Sequence, residues 1–419
     1  MLAMGLPAVF GGCLAVAQVN APEHWITGWA TAVYAPAADQ PVETFENQTI
    51  RMVVRTTLAG SSVRVRFSNE LSSDPLNIGA AHIALAGTGC SIVPGSDRPL
   101  TFGGQRSIVV PPGAPALSDP IDLNLPALGS LAISLFLPDK SVATTFHGHG
   151  QHPSCVFGPG DLTAQGDAVT PVEKKSWYWL SSVQVLASAD SGGIATLGDS
   201  ITDGARAQAV YADWPDQLAM RLNSSPATAS RFSVMNEGIG GNRLLHDITG
   251  PNALSRLDRD VLSQPGLRDL VVLEGINDIG WPYMKVPPTP GKPDAPLFPY
   301  GQQKVSADQL IQSLRQIVER GHAHGVRVFG CTLTPYEGAA YYSPAGETIR
   351  EAVNQWIRTS HVFDGVIDFD AAVRDPAHPN QYLARYQSGD WLHPSDAGYA
   401  AMAGAINLSL FEPQPASGK

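Results

Sequence analysis

Ile194-Ala-Thr-Leu-Gly-Asp-Ser-Ile-Thr-Asp-Gly204 is a short apolar run that breaks off into a hydroxyl flanked by two carboxylates, Asp199 and Asp203. An apolar stretch of strand length followed by Gly-Asp-Ser reads as a buried strand ending in a tight turn. A serine at the carboxyl end of such a strand can sit at a helix N-terminus, exposed to ligand and close to free backbone N–H groups.

Downstream of Asp190-Ser-Gly-Gly193 the strand-like runs alternate with helical periodicities. Ile194 to Leu197, Phe232 to Met235, Asp269 to Leu273, Val326 to Leu333 and Val366 to Phe369 read as five strands. The sharpest helix between them starts at Ser306, where Ser-Ala-Asp-Gln309 forms a capping box, carries Leu310, Leu314 and Ile317 on one face, and ends near Gly325. Such alternation predicts a parallel sheet with helices on both faces and ligand sites at the carboxyl ends of its strands. From Trp25 to about Ala189 the texture differs. Thr49-Ile-Arg-Met-Val-Val-Arg55 and Ser62-Val-Arg-Val-Arg-Phe67 alternate with period two between Gly, Pro, Asn and Asp clusters, which predicts an antiparallel β-sandwich or jelly roll. The expected organisation is a β-domain over 25–189 and an α/β domain over 190–415, and 419 residues suffice for two domains. The segment Trp281 to Tyr300 breaks the rhythm with seven prolines; because it follows a strand end, it reads as the wall or lid of a cleft.

Hydrophobic residues at 43% and charged residues at 16% describe a globular chain, and 41 Gly with 34 Pro imply many turns. The net charge of −11 comes without a Lys/Arg cluster, which argues against a nucleic-acid partner. No segment is long and apolar enough to cross a bilayer as a helix. Residues 1–21 hold a short apolar run ending in Ala15-Val16-Ala17, which reads as a signal peptide with its cleavage site and predicts a secreted or periplasmic protein. Cys13 would leave with that leader. Cys90, Cys155 and Cys331 remain, and either a Cys90 to Cys155 bridge or three buried thiols is compatible with the sequence.

Serine is a weak nucleophile that needs a base, and the base needs an orienting group. Asp390-Trp-Leu-His393-Pro394, just before a helix opened by Ser395, supplies both types of residue: a carboxylate three residues before a histidine in a turn can hold Nδ1–H and leave Nε2 to take the serine proton. Alone, this spacing is common on solvated surfaces. Acyl transfer also needs hydrogen-bond donors aimed at the developing oxyanion. Asn236-Glu-Gly-Ile-Gly-Gly241-Asn follows the second strand and Gly275-Ile-Asn277-Asp278 the third; glycine permits close backbone approach, and an Asn amide is a neutral donor. Asp199 and Asp203 read as residues that fix the turn, since an imidazole has the better pKa for a base.

These four blocks, in this order, resemble the GDSL (SGNH) hydrolase superfamily. The resemblance implies a flavodoxin-like three-layer α/β/α fold with Ser200 as nucleophile, His393 as base and Asp390 completing the triad. It implies an oxyanion hole made of the Ser200 N–H, the Gly241 N–H and the Asn277 side chain. Ile201 stands where the family's name has leucine. Gly240 is the other candidate for the glycine; the spacing after Asn236 selects Gly241. The first domain is similar to the β-domain that precedes this hydrolase domain in some secreted bacterial and fungal members, carbohydrate esterases among them.

The expected activity is hydrolysis of carboxylic esters through an acyl-enzyme, with short acyl or carbohydrate-linked esters as substrates. A lipase, phospholipase or thioesterase of the same family is the nearest alternative, and a non-catalytic carbohydrate-binding protein the one from another class. Trp281 and Trp391, beside the chemical blocks, and Asp199 are the candidates for contact with substrate. No cofactor and no metal is expected. His147-Gly-His149-Gly-Gln-His152 could set two imidazoles on one strand face, but without a carboxylate or cysteine set nearby it reads as a polar loop. Gly238-Ile-Gly240 has Arg243 where a dinucleotide fingerprint needs its third glycine, and the G-x-S-x-G elbow is absent.

Overall fold

Alternation along Gln48–Thr56 sends Ile50, Met52 and Val54 into an apolar core and leaves Arg51 and Arg55 on the opposite face. In the computed structural model, which describes residues 23–37, 41–150, 152–166, 171–284 and 300–412, this strand belongs to a sheet of six in the order Val172–Lys174, Ser154–Phe157, Gln48–Thr56, Gly129–Leu137, Ala80–Leu85, Arg98–Pro99. A second sheet orders Glu23–Ala30, Leu180–Ser188, Gly60–Ser68 and Ile121–Leu125, with Pro115–Leu117 paired to Gly60–Ser68. All these pairings are antiparallel. Val63, Val65 and Phe67 from one sheet share a core with Ile50, Met52 and Ile133 from the other, so the expected sandwich forms. On its outer face Arg51 is buried, and its guanidinium donates to Ser134 Oγ at 2.8 Å, Cys90 O at 2.9 Å and Gln165 O at 2.7 Å. A buried cation is tolerable only with such a set of acceptors.

Cys90 and Cys155 are bridged across 65 residues of sequence, and Cys331 is a buried free thiol. Closing a loop of that length stabilises by about 4 kcal/mol in the chain-entropy model. Cys155→Ser is therefore expected to lower the melting temperature of the sandwich by about 10 °C. Thermal unfolding followed by circular dichroism checks this, with reductant giving a similar fall in the wild type only.

From Gly192 onward the sheet is parallel. Its order, Phe232–Gly238, Gly192–Gly198, Leu267–Leu273, Arg327–Cys331, Gly365–Ile367, puts the second strand outside the first and the later three on the other side, the flavodoxin-like arrangement. Every residue of Gly192–Gly198 is buried, as a strand covered on both faces must be. Helices Trp214–Ser224 and Asp396–Ala405 pack together, as do Ala307–Ala323 and Pro344–Thr359. Ser306 and Gln309 cap each other reciprocally as the sequence predicts. The last strand is shorter than the run Val366 to Phe369, because the Asp368 side chain accepts the Ala371 N–H and starts a helix, Phe369–Val373.

The two parts dock closely. Thr31, just past the end of Glu23–Ala30, bridges Asn236 in parallel and so covers the outer edge of the α/β sheet. Thr57 Oγ1 accepts the Val234 N–H at 2.7 Å, Arg259 donates to Val33 O at 2.8 Å, and Arg55 pairs with Asp216 at 2.5 Å. The leader read at 1–21 lies outside the described residues, as do residues 285–299 of the proline-rich segment.

Candidate active site

The strand Gly192–Gly198 must end in glycine, since a Cβ at Gly198 would run into Thr202 and the Leu273 carbonyl. Asp199 then turns the chain: its carboxylate accepts the Ile201 N–H at 2.8 Å and caps the short helix Ser200–Asp203, which Gly204 stops at φ 93°. Ser200 thus stands at the first position of a helix, and its own N–H has no acceptor among the described residues. Burial pushes the Asp199 carboxyl up to about 7, against the pull of its Ile201 hydrogen bond and of His393.

Ser200 Oγ lies 2.9 Å from His393 Nε2. On the far side of the ring, Nδ1 is 2.7 Å from Asp390 Oδ2. A carboxylate only accepts, so Nδ1 carries the proton and Nε2 is the acceptor of the serine O–H. Asp390 is fixed in turn, because its Oδ1 takes the backbone N–H groups of Leu392 at 3.0 Å and His393 at 2.9 Å. Partial burial opposes its charge, but these bonds and the imidazole outweigh it and hold the carboxyl well below its ordinary range.

Asn277 is the second residue of helix Ile276–Gly280 after the third strand, and both ends of its amide are assigned by partners. Tyr341 Oη donates to Oδ1 at 3.1 Å and Nδ2 donates to Asn242 O at 3.0 Å. That leaves one amide proton over, on a side chain that lines the same cleft as Ser200, Gly241 and His393. The neighbouring glycines divide the work. Gly240 N–H is spent on Asp203 Oδ2 at 3.1 Å, whereas Gly241, at φ 78°, has an N–H without an acceptor among the described residues. The geometry therefore favours Gly241 as the donor. Asp278 clamps this loop by accepting from Leu244 N at 2.7 Å and Leu245 N at 3.1 Å. Buried Arg256 ties it to the first strand through Asn242 Oδ1 at 2.9 Å, Glu237 O at 2.7 Å and Gly198 O at 3.0 Å.

These groups face a cleft of about 630 Å³. Trp281, Met284, Ala339 and Leu392 give it an apolar side, and Trp281 is stacked on Tyr300 at 4.9 Å. Trp281 thus lines the cleft. Trp391 and Asp199 do not line the cleft: Trp391, at φ 60°, turns away to pack over Gly338, and the Asp199 carboxylate is used up as a helix cap. Tyr341, Arg256 and His149 are neighbours of the site whose place there the sequence did not disclose. His149 comes from the antiparallel domain and joins the cleft wall with its Nδ1 3.7 Å from Asp203 Oδ2.

The raised Asp199 carboxyl has a consequence for stability. A folded-state pKa near 7 against an ordinary value of 3.8 means that the native state holds a proton the unfolded state has lost. The contribution is present at low pH and fades as pH rises through that window. Asp199→Asn keeps an acceptor for Ile201 N–H and removes the titration, so its melting temperature is expected to gain on the wild type between about pH 4 and 7. Parallel melts across that range check it; a constant gap would contradict it.

Residues 196–401 match the profile of the GDSL-like lipase/acylhydrolase family. Among similar solved structures are a GDSL-like lipase from Bacteroides thetaiotaomicron, 15% identical, covering 52% of this chain and 87% of that one with a TM-score of 0.35, and a catalytic mutant of an acetylxylan esterase from Geobacillus stearothermophilus, 22% identical, covering 51% and 91% with a TM-score of 0.38. A search among curated proteins finds no match. The matched stretch, which contains Ser200, Gly241, Asn277 and His393 on the fold just described, identifies the α/β part of the chain, residues 196–401, as a GDSL-like lipase/acylhydrolase domain.

Proposed function

We propose that the protein is an exported serine esterase that hydrolyses carboxylic esters through an acyl-enzyme. The observation that carries this reading is the relay in which Ser200 Oγ meets His393 Nε2 at 2.9 Å and His393 Nδ1 meets Asp390 at 2.7 Å. As Oγ attacks the ester carbonyl carbon, its proton passes to Nε2 and the carbonyl electron pair moves onto oxygen. The Ser200 N–H, the Gly241 N–H and the spare amide proton of Asn277 receive that oxyanion; one such donor is worth about 3 to 4 kcal/mol of barrier. Asp390 stabilises the imidazolium. Collapse breaks the bond to the alcohol, which leaves with the proton from Nε2, and water repeats the sequence on acyl-Ser200 to release the carboxylic acid.

Short acyl groups, including acetyl or aryl esters on carbohydrate, are the proposed substrates. The Trp281 and Tyr300 stack offers an aromatic face of the kind that sugar and aryl rings use. The Cys90 to Cys155 bridge supports a secreted or periplasmic location, since such bonds persist in oxidising compartments. The apolar side of the cleft favours a second reading, a lipase, phospholipase or thioesterase with the same chemistry. Turnover of a 4-nitrophenyl ester series from acetate to palmitate decides between them: activity falling with chain length supports the first reading, a steep rise supports the second, and no turnover of any ester refutes both in favour of a carbohydrate-binding role.

A further inference from the structure

The stretch His147-Gly-His149 of the antiparallel domain reaches the cleft wall at His149, and the His147 imidazole is tied to the Gly240-Gly241 turn through a short chain of hydrogen bonds. His147 is 1% exposed. Its Nδ1 lies 2.9 Å from the Ala32 carbonyl, which can only accept, so Nδ1 carries a proton. Nε2 is 3.0 Å from Asp203 Oδ1, and the other oxygen of that carboxylate takes the Gly240 N–H at 3.1 Å. Gly240 adjoins Gly241, and Asp203 is the last residue of the short helix that Ser200 opens. The ring is held in place by Trp177, stacked at 5.5 Å, and by Tyr34, edge-on at 5.8 Å. Burial works against a charged imidazole here, but Asp203 and the two hydrogen bonds outweigh it and raise His147 above the ordinary histidine value. The chain of contacts thus pairs a buried imidazole with a buried carboxylate, where removing either partner is costly.

We propose that His147 is a positioning residue for ester hydrolysis: by holding Asp203 it fixes the Gly240-Gly241 turn and aims the Gly241 N–H at the oxyanion, so that the antiparallel domain is a working part of the active site. The inference rests on the esterase reading above. Two consecutive glycines, the second at φ 78°, give the turn little stiffness of its own. Its aim must come from outside, and oxyanion stabilisation depends on donors fixed before the charge develops. Arg256 and Asp278 restrain the loop from the α/β side. At Gly240 the restraint is Asp203, and His147 is what holds that carboxylate in place.

The test uses the full-length protein as wild type, His147→Ala, His147→Gln and Val65→Ala, a substitution in the core of the sandwich that lowers stability without touching Asp203. With 4-nitrophenyl acetate below the melting temperature, His147→Ala is expected to lose about 10- to 100-fold in kcat, less than deletion of a donor costs, with KM within about threefold of wild type. His147→Gln, whose amide N–H can still donate to Asp203, recovers most of that loss, and Val65→Ala melts earlier with kcat unchanged. An unchanged kcat in His147→Ala overturns the inference, as does an equal loss in Val65→Ala. Hydrogen exchange at the Gly240 amide separates this inference from the reading beneath it. Faster exchange in His147→Ala supports the linkage, and unchanged exchange overturns it whether or not the wild type turns over esters. A wild type that hydrolyses no ester, with faster exchange in the variant, places the failure on the esterase reading alone.

Discussion

Ser200→Ala is expected to lower kcat toward 4-nitrophenyl acetate by about 10⁶-fold, the scale of loss when a triad nucleophile is removed. The effect is large because the substitution deletes the only atom that can bond to the acyl carbon while leaving the rest of the site in place. Among the described residues Ser200 Oγ makes one hydrogen bond, to His393 Nε2. His393 stays tethered to Asp390, and the helix keeps its Asp199 cap, so folding should be unaffected. The Ser200 N–H also survives in alanine, and with Gly241 and Asn277 it can still stabilise attack by water. A residual rate of about 10³ to 10⁴ over the uncatalysed reaction is therefore expected. Retention of more than about 1% of wild-type kcat in a preparation free of wild-type enzyme would mean that Ser200 is not the nucleophile. Thermal melts of the two proteins should superimpose within about 2 °C, since the lost side-chain bond is worth about 1 kcal/mol.

The parts of this site that were legible in the sequence are those whose meaning is local. Gly198-Asp-Ser200 announces itself because a strand, a glycine with no room for Cβ and a capping carboxylate must be consecutive. Asp390 and His393 are three residues apart, so one turn suffices to join them. Asn277 was visible as a residue type at a strand end, but its orientation was not: Tyr341, which fixes it, lies 64 residues further on, beyond the proline-rich segment, with no pattern to link the two. From sequence His147 reads as part of a polar loop because its partner Asp203 is 56 residues away and in the other part of the fold. Trp391 was misplaced for the opposite reason. Adjacency to His393 in sequence suggested the cleft, but the positive φ at this position swings its ring over Gly338 instead. The sandwich was legible from period two, while its sheet order was not, because antiparallel pairings such as that of Gly60–Ser68 with Leu180–Ser188 join strands far apart in the chain.

Asp390→Asn is expected to lower kcat by about 10⁴-fold with little change in KM, and the reason lies in a single proton. In the wild type, Oδ1 accepts from the Leu392 and His393 backbone and Oδ2 accepts from His393 Nδ1. Asparagine can keep the two backbone bonds only with its carbonyl oxygen at the first position, which turns the amide NH₂ toward Nδ1. Nδ1 must then become the acceptor, the ring proton moves to Nε2, and Nε2 can no longer take the proton of Ser200 Oγ. The turn, the His393 ring and the cleft all keep their shape, so the loss is one of protonation state and not of structure. Loss of charge at Asp390 also frees Arg206, whose Nε lies 3.5 Å from Oδ2 on an exposed side chain; a surface pair of that kind is worth at most about 1 kcal/mol, roughly fivefold, and cannot account for the fall. Arg206→Ala measured beside Asp390→Asn separates the two terms. A loss of tenfold or less in Asp390→Asn would show that His393 is oriented by something other than this carboxylate, and would break the relay at its third member while leaving Ser200 and His393 as a working pair.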